Sequence, residues 1–298
     1  MKKILINVRY FLAPIMILAT MFGVLAGGPW VWTGVGLLGV AIIVDTLTKA
    51  QTPGAGFDED GELYGIPSLH NGVMYGMLGV FICLQIILAW RIWEYVNGVP
   101  IAETTMLGLT IQQGITGTQL LGATYSMGIF AGIGIIYGHE LAHTKGFSFV
   151  IARWMMGLSG KAHFCYAHVY NHHLELGHVD DPATAPRGRS LYKHYPLSGI
   201  GQSKFLFVME KQRLERLGVS FVSWQNRWIR GYFMALPTIF LFWFVGGWVG
   251  LGCLALVWLI SNFELEALNY LEHYGLIREK GQPIDYRHSW DNSTAFTS

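Results

Sequence analysis

Residues 118–143 read TQLLGATYSMGIFAGIGIIYGHELAH. The first 21 of them carry no charge, about the length an α-helix needs to cross the hydrocarbon core of a bilayer. The run then passes without a break into His139-Glu140-Leu141-Ala142-His143, so the helix leaving the bilayer carries two imidazoles one turn apart on one face. Polar side chains at a membrane boundary are costly unless they are paired or functional. The stretch therefore reads as a membrane span that delivers chemistry to one surface.

The whole chain supports that start. Its 298 residues are 52% hydrophobic and only 13% charged, about half the charge of a soluble domain. Disordered tails, collagen-like repeats and coiled coils do not tolerate so much apolar surface. A net charge of +1 offers no field to attract phosphates, which argues against a nucleic-acid partner. Cys83, Cys165 and Cys253 stand singly, so neither a disulfide framework nor a thiolate metal site is expected.

Working outward, 35 uncharged residues separate Arg9 from Asp45, broken near the middle by Gly27, Gly28 and Pro29, and read as a hairpin of two spans. The basic start before it has no small-residue cleavage site and is not read as a signal peptide. Residues from Thr48 to His70 read as a solvated loop, Gly72 to Trp90 as a third span, and Arg91, Glu94, Asn97 and Pro100 as a short polar connection to the fourth. A further 33 uncharged residues, Gly231 to Phe263, with Gly246 and Gly247 in the middle, read as a second hairpin. The expected fold is all-α and polytopic, with about six transmembrane helices and a cytoplasmic histidine-rich region. Its organisation is four spans in 1–138, the histidine-box region in 139–230, a transmembrane hairpin in 231–272 and a C-terminal segment in 273–298. With the N-terminus inside, 19 of the 20 basic residues face the cytoplasm, as the positive-inside rule asks.

Eight of the eleven histidines fall between His139 and His194. A lone helical HxxxH is most often structural, and a buried histidine most often a satisfied core residue. Here the first HxxxH is followed by a second, His168-Val169-Tyr170-Asn171-His172-His173, and later by Asn269-Tyr270-Leu271-Glu272-His273-Tyr274-Gly275. So many clustered imidazoles suit a first-row transition metal rather than magnesium or calcium. The first box also matches HExxH, in which two histidines bind zinc and Glu140 would be the general base of an intramembrane metalloprotease. That site needs two histidines and one further ligand, whereas this chain offers at least six imidazoles and so points to more than one ion. Glu140 is then expected to orient a ligand imidazole, as are Asp181 and Glu272. A non-catalytic metal carrier would need its histidines to line a path across the membrane rather than gather on one face. His163 and His178 lie near the second box and could act as hydrogen-bond partners of ligands; His70, His194 and His288 read as surface or structural residues.

With these boxes, the Asp181-Pro182-Ala183-Thr184 stretch and the six-span layout, the chain resembles the membrane-bound alkane hydroxylases, with xylene side-chain monooxygenases as close relatives and fatty-acid desaturases more distantly similar. Desaturases typically show HxxHH in the second box, and the HxxxHH spacing here favours the hydroxylases. The resemblance implies two non-haem iron ions held by His139, His143, His168, His172, His173 and His273, with O2 as co-substrate. It implies hydroxylation of the terminal methyl of an apolar small molecule, either an alkane or, alternatively, an alkyl-aromatic or a fatty acyl chain. It also implies a further box of three histidines beyond Ser298, so the chain reads as a truncated form. Electrons would come from rubredoxin or ferredoxin with its NAD(P)H-dependent reductase, docking at basic residues such as Arg153, Lys161, Arg187, Arg189, Lys193, Lys211, Arg213 and Arg216; the competing reading of these residues is contact with anionic membrane lipid. The expected location is the bacterial inner membrane, with the histidine boxes facing the cytoplasm.

Overall fold

Glycine and proline interrupt the first apolar run. In the computed structural model, which describes residues 11–48 and 66–290, α1 (Leu12–Ala26) stops at Gly27, whose φ of 75° and ψ of −165° suit a residue without Cβ. A 3-10 turn, Gly28–Trp32, with Pro29 near its start, leads into α2 (Thr33–Leu47). Most of the loop expected between Thr48 and His70 lies outside the described residues. The third helix, α3 (Pro67–Val96), takes His70 into its first turns and runs past the expected end at Trp90. It is followed by an antiparallel pair, β1 (Ala102–Met106) and β2 (Leu109–Gln113), and by α4 (Gly117–Ala142). Then come α5 (Phe147–Leu158), α6 (Phe164–Ala167), a π-helical turn (His168–His172), α7 (His173–Glu175), α8 (Leu191–Arg216), α9 (Arg227–His273) and a 3-10 turn, Tyr286–His288.

The protein is mostly helical, and four helical stretches are long and apolar enough to cross a membrane: Gly28–Leu47, Pro67–Val96, Gly117–Ala142 and Arg227–His273. The apolar part of α4 is 72% buried, against 11–33% in the others, so α4 is the internal helix and the others turn apolar surface outward, as lipid-facing helices do. The chain is an integral membrane protein. The hairpin β1–β2 departs from an all-α fold. Its two-residue turn, Leu107 and Gly108, has φ of 51° and 79°, the mirror-image turn that matches strand twist. Leucine is an unusual choice there, which hides the hairpin from a sequence reading.

Two compact units make up the described residues: 11–48, 66–134 and 239–260 in one, and 135–238 and 261–290 in the other. In the first, α2 meets α4 where Gly34 lies against Ser126; a Cβ on Gly34 would come within 2.7 Å of the Ser126 backbone. Such small-residue contacts let membrane helices approach closely. The Ser126 hydroxyl donates to the Val31 carbonyl at 2.7 Å, fixing the register. Arg91 and Glu94, expected in a polar connection, are instead 2% exposed inside α3 and ion-paired. Arg91 also donates to the carbonyls of Val24 (2.7 Å), Leu25 (2.6 Å) and Gln112 (3.2 Å). One guanidinium thus satisfies the last turn of α1, where carbonyls lack helical partners, and ties down the end of β2.

The helix α9 is interrupted at Gly247, with φ of 52° and ψ of −129°. Just beyond it, a Cβ on Gly250 would lie 1.9 Å from the Phe242 carbonyl oxygen, so the chain turns sharply here. In the second unit its two arms return to the same neighbours: Met234 packs against Gly157, and Asn262 donates to the Ser159 carbonyl at 3.0 Å. The element doubles back on itself.

Removing one partner of a buried ion pair strands the other charge. Arg91→Leu is expected to lower stability by about 3–5 kcal/mol, and Arg91→Leu with Glu94→Leu to recover part of that loss. Thermal unfolding in detergent measures both; a single variant as stable as the wild type would dismiss the clamp.

Candidate metal centre

The site is assembled in the second unit. The last turn of α4 presents His139, with His143 directly after it, and the chain returns through α5 and α6 to the π-helical turn that carries His168 and His172. An α-helix advances about 100° per residue, which would point His173 about 140° away from His168. The wider turn closes with the His173 amide donating to the His168 carbonyl, five residues back, and brings the two side chains together.

The Nε2 atoms of His168 and His143 lie 3.3 Å apart, and those of His168 and His173 2.9 Å apart. The rings of His139 and His168 are 4.3 Å apart, and potential ligand atoms of His139, His143 and His168 lie within 4.8 Å of one another. His172 stands beside this group of four, 5.1 Å from His168, and His273 lies 4.8 Å from His172. All six boxed histidines are therefore brought to one place. Two nitrogens each about 2.1 Å from a common ion, at right or tetrahedral angles, are separated by about 3.0–3.4 Å. The observed spacings match that bite, and the donor set fits a transition metal.

Burial pushes His168 far below the usual imidazole range, and repulsion from the surrounding imidazoles adds to the effect. Burial, with His143 and His172 nearby, lowers His173 to about 4. Neutral rings are what a metal requires. Phe164 stacks on His168 at 4.8 Å, and the Lys161 ammonium lies 5.4 Å from its ring centroid. Lys161 is ion-paired with buried Glu266, which also accepts a hydrogen bond from Gln202 at 2.9 Å.

Asp181 accepts Nδ1–H of His172 at 2.8 Å, the Thr184 hydroxyl at 2.6 Å and the Ala183 amide at 3.0 Å. Burial opposes its ionisation, but these hydrogen bonds and the nearby imidazole outweigh burial and hold the carboxyl below the usual range. The tautomer this assigns to His172 leaves its Nε2 lone pair free. His273 donates Nδ1–H to the backbone carbonyl of His288 at 3.1 Å. Glu272 lies 3.7 Å from Nε2 of His273 and is half exposed. Glu140 is exposed and makes no hydrogen bond or ion pair among the described residues. His178 pairs with Glu175 and Asp180 rather than with a boxed imidazole, and Nε2 of His163 is buried without a partner among the described residues.

Three contributors escape a sequence reading. His288 is buried rather than superficial and acts through its carbonyl; its own Nδ1 accepts the Asp285 amide at 3.1 Å. His194 is fully buried against Tyr270. Arg278, 6% exposed, donates to the carbonyls of Leu174 and Leu176 at 2.6 Å each, fixing the chain just beyond His173. No local pattern announces the Arg278 pairings, which span 102 and 104 positions.

Residues 117–298 match the family described as fatty acid desaturase. The chain belongs to this family. Within the desaturase family it is similar to alkane 1-monooxygenase 1 of Pseudomonas aeruginosa, 31% identical over 60% of this chain and 48% of that protein. The alkane 1-monooxygenase of Acinetobacter baylyi is 31% identical over 58% of the chain and 44% of that protein. The xylene/toluene monooxygenase hydroxylase component XylM of Pseudomonas putida is 25% identical over 96% of the chain and 72% of that protein. The chain spans about half the length of the alkane 1-monooxygenases it matches.

Two measurements test the centre. Asp181→Asn removes the carboxylate that receives Nδ1–H of His172 and should weaken metal binding about 10- to 100-fold without loss of the helical circular dichroism; unchanged metal content would discard that role. A depressed histidine pKa means that the unfolded chain binds more protons than the folded one below about pH 6.5. The metal-free protein should therefore be fully stabilised by His173 above that pH and lose this contribution as pH falls through about 4. A melting temperature indifferent to pH between 7 and 4 would contradict the neutral cluster.

Proposed function

We propose that this chain is a membrane-bound non-haem diiron monooxygenase that hydroxylates the terminal methyl of alkanes to 1-alcohols. The observation that carries the reading is the convergence of His139, His143, His168 and His173 at ion-sharing distances, with His172 and His273 beside them, in a homologue of alkane 1-monooxygenases. These six histidines would hold the irons, which when bound supply the redox chemistry that inserts one atom of O2 into a C–H bond.

The chain's own residues do the orienting. Asp181 and the His288 carbonyl hold protons at Nδ1 of His172 and His273, so that each ring offers Nε2. Phe164 and the buried residues around His168 exclude water from one side of the cluster, and Arg278 fixes the chain behind His173. Glu140 and Glu272 lie at the exposed rim of the site. An alkane has no polar handle, so it must be presented by an apolar passage between helices.

Six spans, with the histidine boxes at the cytoplasmic face of a bacterial inner membrane, complete the proposal. The doubling back of α9 at Gly247 and the pair α1–α2 support that count, although α1 is only 15 residues long. Rubredoxin or ferredoxin, reduced by an NAD(P)H-dependent partner, would supply electrons at that face. Hydroxylation of a methyl group on an aromatic ring is the second reading, favoured by the similarity to XylM along 96% of the chain.

The test is an assay of the iron-loaded protein in membranes with carrier, reductase, NADH and O2, offered n-octane and m-xylene separately. Expected is 1-octanol, lost by a factor above about 100 in His168→Ala and kept in Glu140→Gln. Benzylic alcohol without 1-octanol would select the second reading. Zinc dependence with peptide cleavage lost in Glu140→Gln would replace both with a protease.

A further inference from the structure

At the head of α9 the second unit gathers four arginines, Arg153, Arg213, Arg227 and Arg230, around one carboxylate, Glu210. Glu210 is fully buried and already committed: it accepts Nε–H and Nη2–H of Arg213 at 2.8 Å each and the backbone amide of Arg227 at 2.9 Å. The Arg227 guanidinium stands off at 3.7 Å. Arg230 has Glu210 only at longer range, and the Nε atoms of Arg153 and Arg230 are shielded from solvent with no acceptor among the described residues. Arg153 donates only to the weakly accepting sulfur of Met234, at 3.6 Å. Meanwhile the Tyr166 ring holds two of these like charges together, with Arg153 5.3 Å and Arg227 5.1 Å from its centroid.

We propose that Arg153, Arg227 and Arg230 bind the phosphate of an anionic phospholipid. Guanidinium forks match phosphate oxygens, and the single carboxylate that these arginines share, already forked by Arg213, leaves their mutual repulsion only partly offset. The occupant is a lipid rather than a soluble anion because of what surrounds the arginines. Trp224, Tyr232 and Phe233 are each about half exposed or more, Trp224 packs edge-on to Phe233 at 5.3 Å, and Trp228 packs on Tyr232 at 4.8 Å. Aromatic side chains of this kind sit at headgroup level, and the apolar run of α9 begins directly after Arg230. An acyl chain covers these rings, whereas a free phosphate or an acidic protein leaves them wet.

The full chain in detergent micelles is titrated with phosphatidylglycerol or phosphatidylcholine and bound lipid is counted by native mass spectrometry. The wild type is expected to retain one phosphatidylglycerol and to bind phosphatidylcholine weakly. Arg153→Gln with Arg230→Gln should weaken phosphatidylglycerol binding about thirtyfold, five- to sixfold for each arginine. Lys280→Gln, an exposed change beside Asp180, should leave it unaltered. If the double glutamine variant does not fold, Arg153→Lys with Arg230→Lys keeps the charge without the fork and should bind several-fold more weakly than the wild type. Equal binding of the two lipids, or wild-type binding by whichever arginine variant folds, overturns the proposal. So does displacement of phosphatidylglycerol by inorganic phosphate at matching concentration, which assigns the site to free phosphate, or by an acidic electron-carrier protein, which assigns it to docking.

Discussion

Imidazole nitrogens of His143, His168 and His173 lie 2.9–3.3 Å apart, and burial holds His168 and His173 below the usual imidazole range. A cation shared by those nitrogens would take up their lone pairs together, and the scaffold of the second unit holds the rings in that arrangement. The positive charge of Lys161 is paired with Glu266 behind Phe164. Asp181 places its own negative charge on the outer side of His172, where it strengthens the ring as a donor without occupying Nε2. Arg278 and the His288 carbonyl brace His173 and His273 with hydrogen bonds from the chain beyond α9.

The membrane part solves a different difficulty with similar means. Helices in lipid gain little from burying apolar surface against one another, so close contact and satisfied polar groups decide their packing. Gly34 against Ser126 supplies the contact, and Arg91 supplies the polar closure by binding carbonyls from two other elements. The charges that appear misplaced in an apolar helix are therefore its fastening points.

How much of this the sequence discloses follows from the range of each interaction. The i, i+4 spacing of His139 and His143, the break at Gly27 and the break at Gly247 are local, and each is written within a few residues. Arg91 and Glu94 mislead, since charge in a hydrophobic run resembles a loop until the partners of Arg91, at Val24 and Leu25 and at Gln112, are known. The hairpin β1–β2 turns on a leucine with positive φ, against every common preference. The buried states of His194 and His288, and the pair Lys161–Glu266 across 105 positions, have no local signature at all.

The π-helical turn at His168–His172 gives the second box a further meaning. In an α-helix, residues at offsets 3 and 4 share a face with residue zero, which is the HxxHH spacing of desaturases. At offsets 4 and 5 the last ring would rotate away, unless one turn is wound more loosely. The loose turn absorbs a single extra residue while the three imidazoles keep their common aim. The two spellings of the box then present one surface in two helical pitches, the extra residue of the longer one held as slack in the backbone.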